Sequence, residues 1–229
     1  QHQLLAAVGH ARLMQIYTDF FREHRITVAQ VLLTRGDFGA RASYLNIRDT
    51  LENLLKADVL PIVNENDTVS VEEIRFGDND TLSALIATMV EADLLIILTD
   101  VEGLFTSNPA TDPETKLLPD VDRIDARIES MAKRGKSEFG AGGMITKLRA
   151  VKTVSEAGIP VVVTSGHREG VLQSVLAGER VGCRCWPVEL EALLQLPQGL
   201  ALRSKCQKLG RRLRGLSSLA PLPVREETS

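Results

Sequence analysis

Apolar residues along this chain fall into two patterns, short blocks of the kind that make strands and longer stretches with helical spacing. The opening stretch sets Leu4, Leu5, Val8, Ile16 and Phe20 on related faces of a helix. Residues 28–34, apolar and β-branched, predict a strand, and 43–56, with Leu45, Leu51, Leu54 and Leu55, predict a helix. The block 59–63, interrupted by Pro61, is the next strand. Beyond it Val69 and Val71, then Ile74 and Phe76, alternate on either side of Glu72 and Glu73, which predicts a short hairpin. Residues 81–91 place Leu82, Leu85, Ile86, Met89 and Val90 on one buried helical face, with Asn79 or Asp80 as the N-cap. The unbroken apolar run 94–98 predicts a strand buried on both faces. A loop rich in Pro and Asp leads to a short helix near 124–133. After a glycine turn at 140–143, a helix carries Met144, Leu148, Val151 and Val154 on its apolar side, and Gly158 and Pro160 end it. A buried strand at 161–164 and a helix near 170–177 follow.

Strands alternating with helices predict an α/β protein, a three-layer α/β/α sandwich with a mostly parallel central sheet. In such sheets ligands bind outside the carboxyl ends of the strands. Three polar motifs fall at such ends: Asn64-Glu65-Asn66-Asp67, Thr99-Asp100 and Thr164-Ser165-Gly166. The first and a second cluster, Gly77-Asp78-Asn79-Asp80, bracket the predicted hairpin. Carboxylates accept from an ammonium group, and amides donate to carboxylates, so this pair of clusters suits a small zwitterion. The same residues also make ordinary polar turns. Lys147 follows Gly142 and Gly143 near the start of a helix, where backbone N–H groups and the helix dipole favour phosphate. On spacing alone it reads first as an exposed helical lysine next to a loop glycine.

Composition narrows the classes. With 229 residues, 44% of them hydrophobic and 25% charged, the chain is long enough for one large or two small globular domains. A net charge of −3 gives no overall basic field for nucleic acid. No apolar run approaches the ~20 residues that span a bilayer, and no signal-peptide pattern is present, which points to a cytoplasmic protein without a membrane partner. Three cysteines build no disulfide framework, and Cys183-x-Cys185 lacks a second ligand pair, so no protein metal site is assigned. After Gly182 the character changes. Arg203, Lys205, Lys208, Arg211, Arg212 and Arg214 stand without an acid among them, as on a solvated helix face or toward an anionic partner. Residues 183–229 are expected to be a separate basic tail, disordered over the last nine positions.

Asn64-Glu65-Asn66-Asp67, Gly77-Asp78-Asn79-Asp80, the run Leu98-Thr99-Asp100-Val101-Glu102-Gly103-Leu104-Phe105-Thr106, Asn108-Pro109 and Gly142-Gly143-Met144 with Thr146-Lys147-Leu148 stand in the order of a known family. Residues 1–182 resemble the amino acid kinase family, in its glutamate-phosphorylating branch. The resemblance implies ATP-dependent phosphorylation of the γ-carboxylate of L-glutamate, giving L-glutamyl 5-phosphate for proline biosynthesis. It implies ATP and Mg2+, the metal riding on the ATP phosphates. It implies that Lys147 stabilises the transferred phosphate and that Asp80 orients catalytic lysine. Asp67, Asn79 and Asn64 would hold glutamate. Thr99, Asp100 and the segment Ala141, Gly142, Gly143, Met144, Ile145, Thr146 and Lys147 would contact the nucleotide. Ala141 stands where the family usually has Thr. Proline as a feedback inhibitor and a homo-oligomer are further implications. The family's first strand, with its phosphate loop, and a later Ser-Gly turn would precede residue 1, so the chain is expected to be a fragment with its first strand missing. A sibling kinase acting on another amino acid or a carbamate, a catalytically incomplete nucleotide-binding remnant, and the kinase part of a bifunctional kinase-reductase are the alternatives.

Overall fold

The computed structural model describes residues 2–69, 76–107, 112, 114–121, 124–134 and 143–186. The chain forms two compact units, Gln1–Ala92 with Lys136–Val154, and Asp93–Gly135 with Ser155–Ser229.

The first unit contains α1 (His2–Arg22), β1 (Thr27–Leu33), α2 (Arg35–Gly39), α3 (Arg41–Lys56), β2 (Val59–Glu65) and α4 (Asn79–Met89). β1 and β2 run parallel, from Thr27 opposite Val59 to Leu33 opposite Glu65. A parallel pair needs a crossover, and α2 with α3 supplies it. α1 packs on β1, while α3 and α4 pack on β2. Leu51 is the buried anchor of α3. On α4 the buried stripe is Leu82, Ala84, Ala87 and Met89. The predicted Leu85, Ile86 and Val90 are only half-buried, and two small alanines share the buried stripe instead.

The start of α4 differs from expectation. Asp78, extended at φ −159°, is the N-cap, and its Oδ1 accepts from the Thr81 N–H at 2.6 Å. Asn79 and Asp80 are therefore the first helical residues, with their side chains released for other partners. β2 also runs two residues past the predicted end, so Asn64 and Glu65 belong to the strand. Of the predicted hairpin, Val71, Glu72, Glu73 and Ile74 lie outside the described residues.

The second unit holds β3 (Leu95–Thr99), β4 (Asp120–Val121), α5 (Ala126–Arg134), β5 (Val161–Ser165), α7 (Val171–Leu176) and β6 (Cys183–Cys185). Here α6 (Met144–Glu156) is counted between α5 and β5, with its residues through Val154 in the first unit. The sheet order is β3-β5-β6-β4, parallel at β3–β5 and β4–β6 and antiparallel at β5–β6. Every residue of β5 is buried, in line with its apolar run. Val162, Val175 and Val181 form a core cluster against which Leu94 and Ile96 pack.

The run 94–98 was expected to be buried on both faces. Among the described residues β3 lies at the edge of its sheet, and Leu98 is 47% exposed. β4 and β6 were not predicted at all. β6 lies past Gly182, inside the sheet, with Cys183 and Cys185 fully buried and their Sγ atoms 4.0 Å apart. Contact with Cys183 and burial, with the Asp120 charge adding to them, push the Cys185 thiol well above its usual range. The pair of strands is latched by Arg184, which lies 2.5 Å from the Asp120 carboxylate, and by the Trp186 indole N–H, which donates to it at 3.3 Å. The basic positions 203–214 lie outside the described residues.

Gly182 makes the turn into β6 possible. Its φ is +66°, and a Cβ there would strike the Val163 carbonyl oxygen and lie 2.6 Å from Thr164 Cβ. Both the left-handed backbone and the space exclude a side chain. Gly182→Ala is expected to cost about 1–3 kcal/mol, read as a lowered midpoint in thermal or urea unfolding. An unchanged midpoint would show that this turn tolerates a Cβ.

Candidate active site

In the first unit the chain leaves β2 through a tightly tied turn. Asn66 N–H donates to the Leu33 carbonyl at 2.7 Å, which hangs the turn on the end of β1. Val69 N–H returns to the Asn66 carbonyl at 3.2 Å, and the Thr68 hydroxyl donates to Asn66 Oδ1. Asn66 is thus consumed in shaping the turn. Glu65 is buried, and its Oε1 accepts from the Phe76 N–H at 3.1 Å. That bond ties the end of β2 to the segment entering α4, so one buried carboxylate holds the two polar clusters as a single structure. Phe76 is braced edge-on by Phe38 at 5.4 Å.

With Glu65 and Asn66 committed to the scaffold, Asp67, Asn64 and Asn79 remain as candidate ligand groups. Asp67 is partly exposed and faces His10 of α1 at 4.0 Å. Asn64 is half-buried near the end of β2, and Asn79 is exposed at the start of α4.

The first turn of α4 meets the first turn of α6. Asp80 Oδ2 accepts from Lys147 Nζ at 3.0 Å and from the Thr146 hydroxyl at 3.1 Å. The Thr146 hydroxyl also lies 2.8 Å from the Gly143 carbonyl, and Thr146 N–H donates to that carbonyl at 3.0 Å. Lys147 and Asp80 are 16% and 15% exposed. The ammonium is therefore held by a carboxylate, largely withdrawn from water, one turn into a helix. Such a group can move a full positive charge onto an incoming phosphate, and the helix N-terminus reinforces it. Of the nucleotide-contacting segment, Gly143, Met144, Ile145, Thr146 and Lys147 are described, whereas Ala141 and Gly142 lie outside the described residues.

In the second unit, Thr99 ends β3 and its hydroxyl donates to Asp100 Oδ1 at 2.9 Å. The Thr99 carbonyl accepts from Gly166 N–H at 2.8 Å, which brings the ends of β3 and β5 together. Thr164 is fully buried with no hydrogen-bond partner for its hydroxyl among the described residues. Thr99, Asp100 and Gly166 stand at the carboxyl edge of the sheet, where the polar motifs predict them, with Thr164 buried behind. Among the described residues no group of three or more His, Cys, Asp or Glu could hold a metal ion, and no helix is long and apolar enough to cross a membrane.

Sequence reasoning missed two residues. Glu65 was visible only as part of a polar cluster; its burial depends on β2 running to its own position. His10 is a lone half-buried histidine within α1 and carried no signal in the sequence.

The chain is thus an α/β protein with parallel strands, polar strand ends and a lysine–carboxylate pair between two helix starts. The sequence model of the amino acid kinase family matches residues 1–165, and the chain belongs to that family. It is 51% identical over 192 residues to glutamate 5-kinase of Moorella thermoacetica, covering 84% of this chain and 51% of that protein. It is 45% identical over 233 residues to glutamate 5-kinase of Deinococcus radiodurans, covering 99% of this chain and 64% of that protein. The chain spans about half the length of most of the curated relatives it matches, as with Moorella at 51%. Among solved structures, T. acidophilum isopentenyl phosphate kinase in its product complex superimposes with a TM-score of 0.54 at 16% identity, over 76% of this chain and 66% of that one. That likeness is one of fold.

Proposed function

We propose that this chain is the kinase portion of an enzyme that transfers the γ-phosphoryl group of ATP to the γ-carboxylate of L-glutamate, giving L-glutamyl 5-phosphate for proline synthesis. The observation that carries the reading is the Lys147–Asp80–Thr146 cluster, one helix away from the Asn64–Asp67 turn. Glutamate 5-kinase relatives near 50% identity support the choice of acceptor.

Phosphoryl transfer asks for positioning and charge neutralisation. A glutamate carboxylate is already ionised at pH 7 and needs no base. Its oxygen forms the new P–O bond as the bond to the β-phosphate oxygen breaks and ADP leaves. Lys147 would neutralise the charge that spreads over the γ-phosphoryl oxygens, and Asp80 would keep the ammonium in register. Asp67 would accept from the substrate ammonium, and the amides of Asn64 and Asn79 would donate to its carboxylates. Gly143 to Thr146, Thr99 and Asp100 would contact the nucleotide. Magnesium would arrive with ATP and neutralise its phosphates. Proline inhibition and assembly into a homo-oligomer in the cytoplasm complete the proposal.

The test is a side-by-side measurement of ADP release with L-glutamate, D-glutamate, L-aspartate and carbamate as acceptors. Turnover with L-glutamate well above the others is expected. Preference for carbamate or aspartate would overturn the acceptor assignment.

A further inference from the structure

We propose that His10 is a positioning residue for Asp67, restraining its carboxylate for the ammonium group of the amino-acid acceptor. This inference rests on the reading of Asp67 given above. α1 packs on β1, and the turn carrying Asp67 hangs on the Leu33 carbonyl at the end of β1. The helix that bears His10 and the turn that bears Asp67 are thus fixed to the same strand. His10 Nε2 lies 4.0 Å from Asp67 Oδ2, with the two side chains 13% and 37% exposed. The imidazole faces one carboxylate oxygen, while the Asp67 side chain as a whole stays more than a third exposed and so within reach of a ligand.

The second ring nitrogen decides the tautomer. His10 Nδ1 is buried with no hydrogen-bond partner among the described residues. A proton there would be a buried, unpaired donor, whereas a proton on Nε2 points at an acceptor. The favoured neutral form therefore directs its N–H at Asp67. At 4.0 Å the contact is an electrostatic one that a small side-chain rotation would close into a hydrogen bond. A carboxylate on a turn otherwise has free rotation about its last bonds, and a donor on one side biases the oxygen that remains toward the substrate.

Calorimetric titration of L-glutamate and of ATP into the protein tests this with His10→Ala, His10→Gln and Asp67→Asn. His10→Ala is expected to weaken L-glutamate binding about 3- to 5-fold, the range of a partly exposed charge contact, and to leave ATP binding unaltered. His10→Gln restores an N–H donor and is expected to return affinity to within about twofold of the unaltered protein. Unchanged glutamate affinity in His10→Ala overturns the proposal. So does His10→Gln behaving no better than His10→Ala, or His10→Ala losing ATP binding as well, which marks a packing role. Undiminished affinity in Asp67→Asn overturns the reading of Asp67 itself, and absence of glutamate binding by the unaltered protein overturns both.

Discussion

Lys147→Ala is expected to lower the rate of phosphoryl transfer to L-glutamate about 100- to 1000-fold, the loss that follows removal of one preorganised donor aimed at developing charge. The ammonium is held 3.0 Å from Asp80, in surroundings that exclude much of the solvent. Its charge therefore meets the transferring phosphoryl group without a large reorganisation of water. Glutamate affinity should change little, because the acceptor is assigned to Asp67, Asn64 and Asn79. Lys147→Arg is expected to rescue poorly. A planar guanidinium presents a rigid fork in place of a compact point charge, and it must fit beside both Asp80 and the Thr146 hydroxyl. Steady-state kinetics with glutamate and ATP varied separately checks the assignment. A loss confined to the glutamate KM would place Lys147 in acceptor binding instead.

Asp80→Asn is expected to lower kcat by about 100-fold, the scale of a catalytic group displaced by roughly an ångström. The substitution keeps the size of the side chain and removes the charge that anchors Lys147. Lys147 and the Thr146 hydroxyl both donate to Oδ2, so the amide oxygen can still accept from them, but as a neutral acceptor in place of a charged one. A stability loss of about 1.5–3 kcal/mol should accompany it, as for a hydrogen bond to a charged group in partly buried surroundings. Asp80→Ala would lose the acceptor outright and should be at least as damaging. Rate loss and stability loss are separable: the first is read from kcat on folded protein, the second from the unfolding midpoint. Unaltered kcat in Asp80→Asn would show that Lys147 needs no anchor.

Much of the architecture was legible because periodicity reports burial directly. The run 161–164 reads as a buried strand, and β5 has sheet neighbours on both sides. The run 94–98 reads identically, yet β3 lies at the edge and exposes Leu98. An apolar run says that a strand is apolar, whereas its place in the sheet is set by residues far along the chain. β6 was hidden for a related reason. Cys183-Arg184-Cys185 is too short to show a period; it pairs with β4 and β5 and lies so close to Gly103 that a Cβ added there would come within 2.9 Å of Cys183 N. The cap of α4 was misplaced because Asp78, Asn79 and Asp80 are all competent caps. Only backbone geometry separates them, and moving the cap to Asp78 is what leaves the Asp80 carboxylate available to Lys147.

The candidate site shows the same division. The chemistry of Asp67, Asp80 and Lys147 is written in their residue types. The contact between Asp80 and Lys147 spans 67 positions, and no local pattern records it. Asp80 on its own chemistry was a helix cap, with the orienting role coming solely from the family resemblance. His10 and Glu65 lay beyond both kinds of reasoning, since each owes its place to packing around β1 and β2.

The most direct test of the account is the ATP-dependent formation of γ-glutamyl hydroxamate from L-glutamate in the presence of hydroxylamine, with D-glutamate, aspartate and the Lys147→Ala protein as controls. The account predicts hydroxamate with L-glutamate, little with the other acceptors, and a loss of about 100-fold or more in Lys147→Ala. Equal hydroxamate from Lys147→Ala and the unaltered protein, or formation that is indifferent to the acceptor, would contradict it.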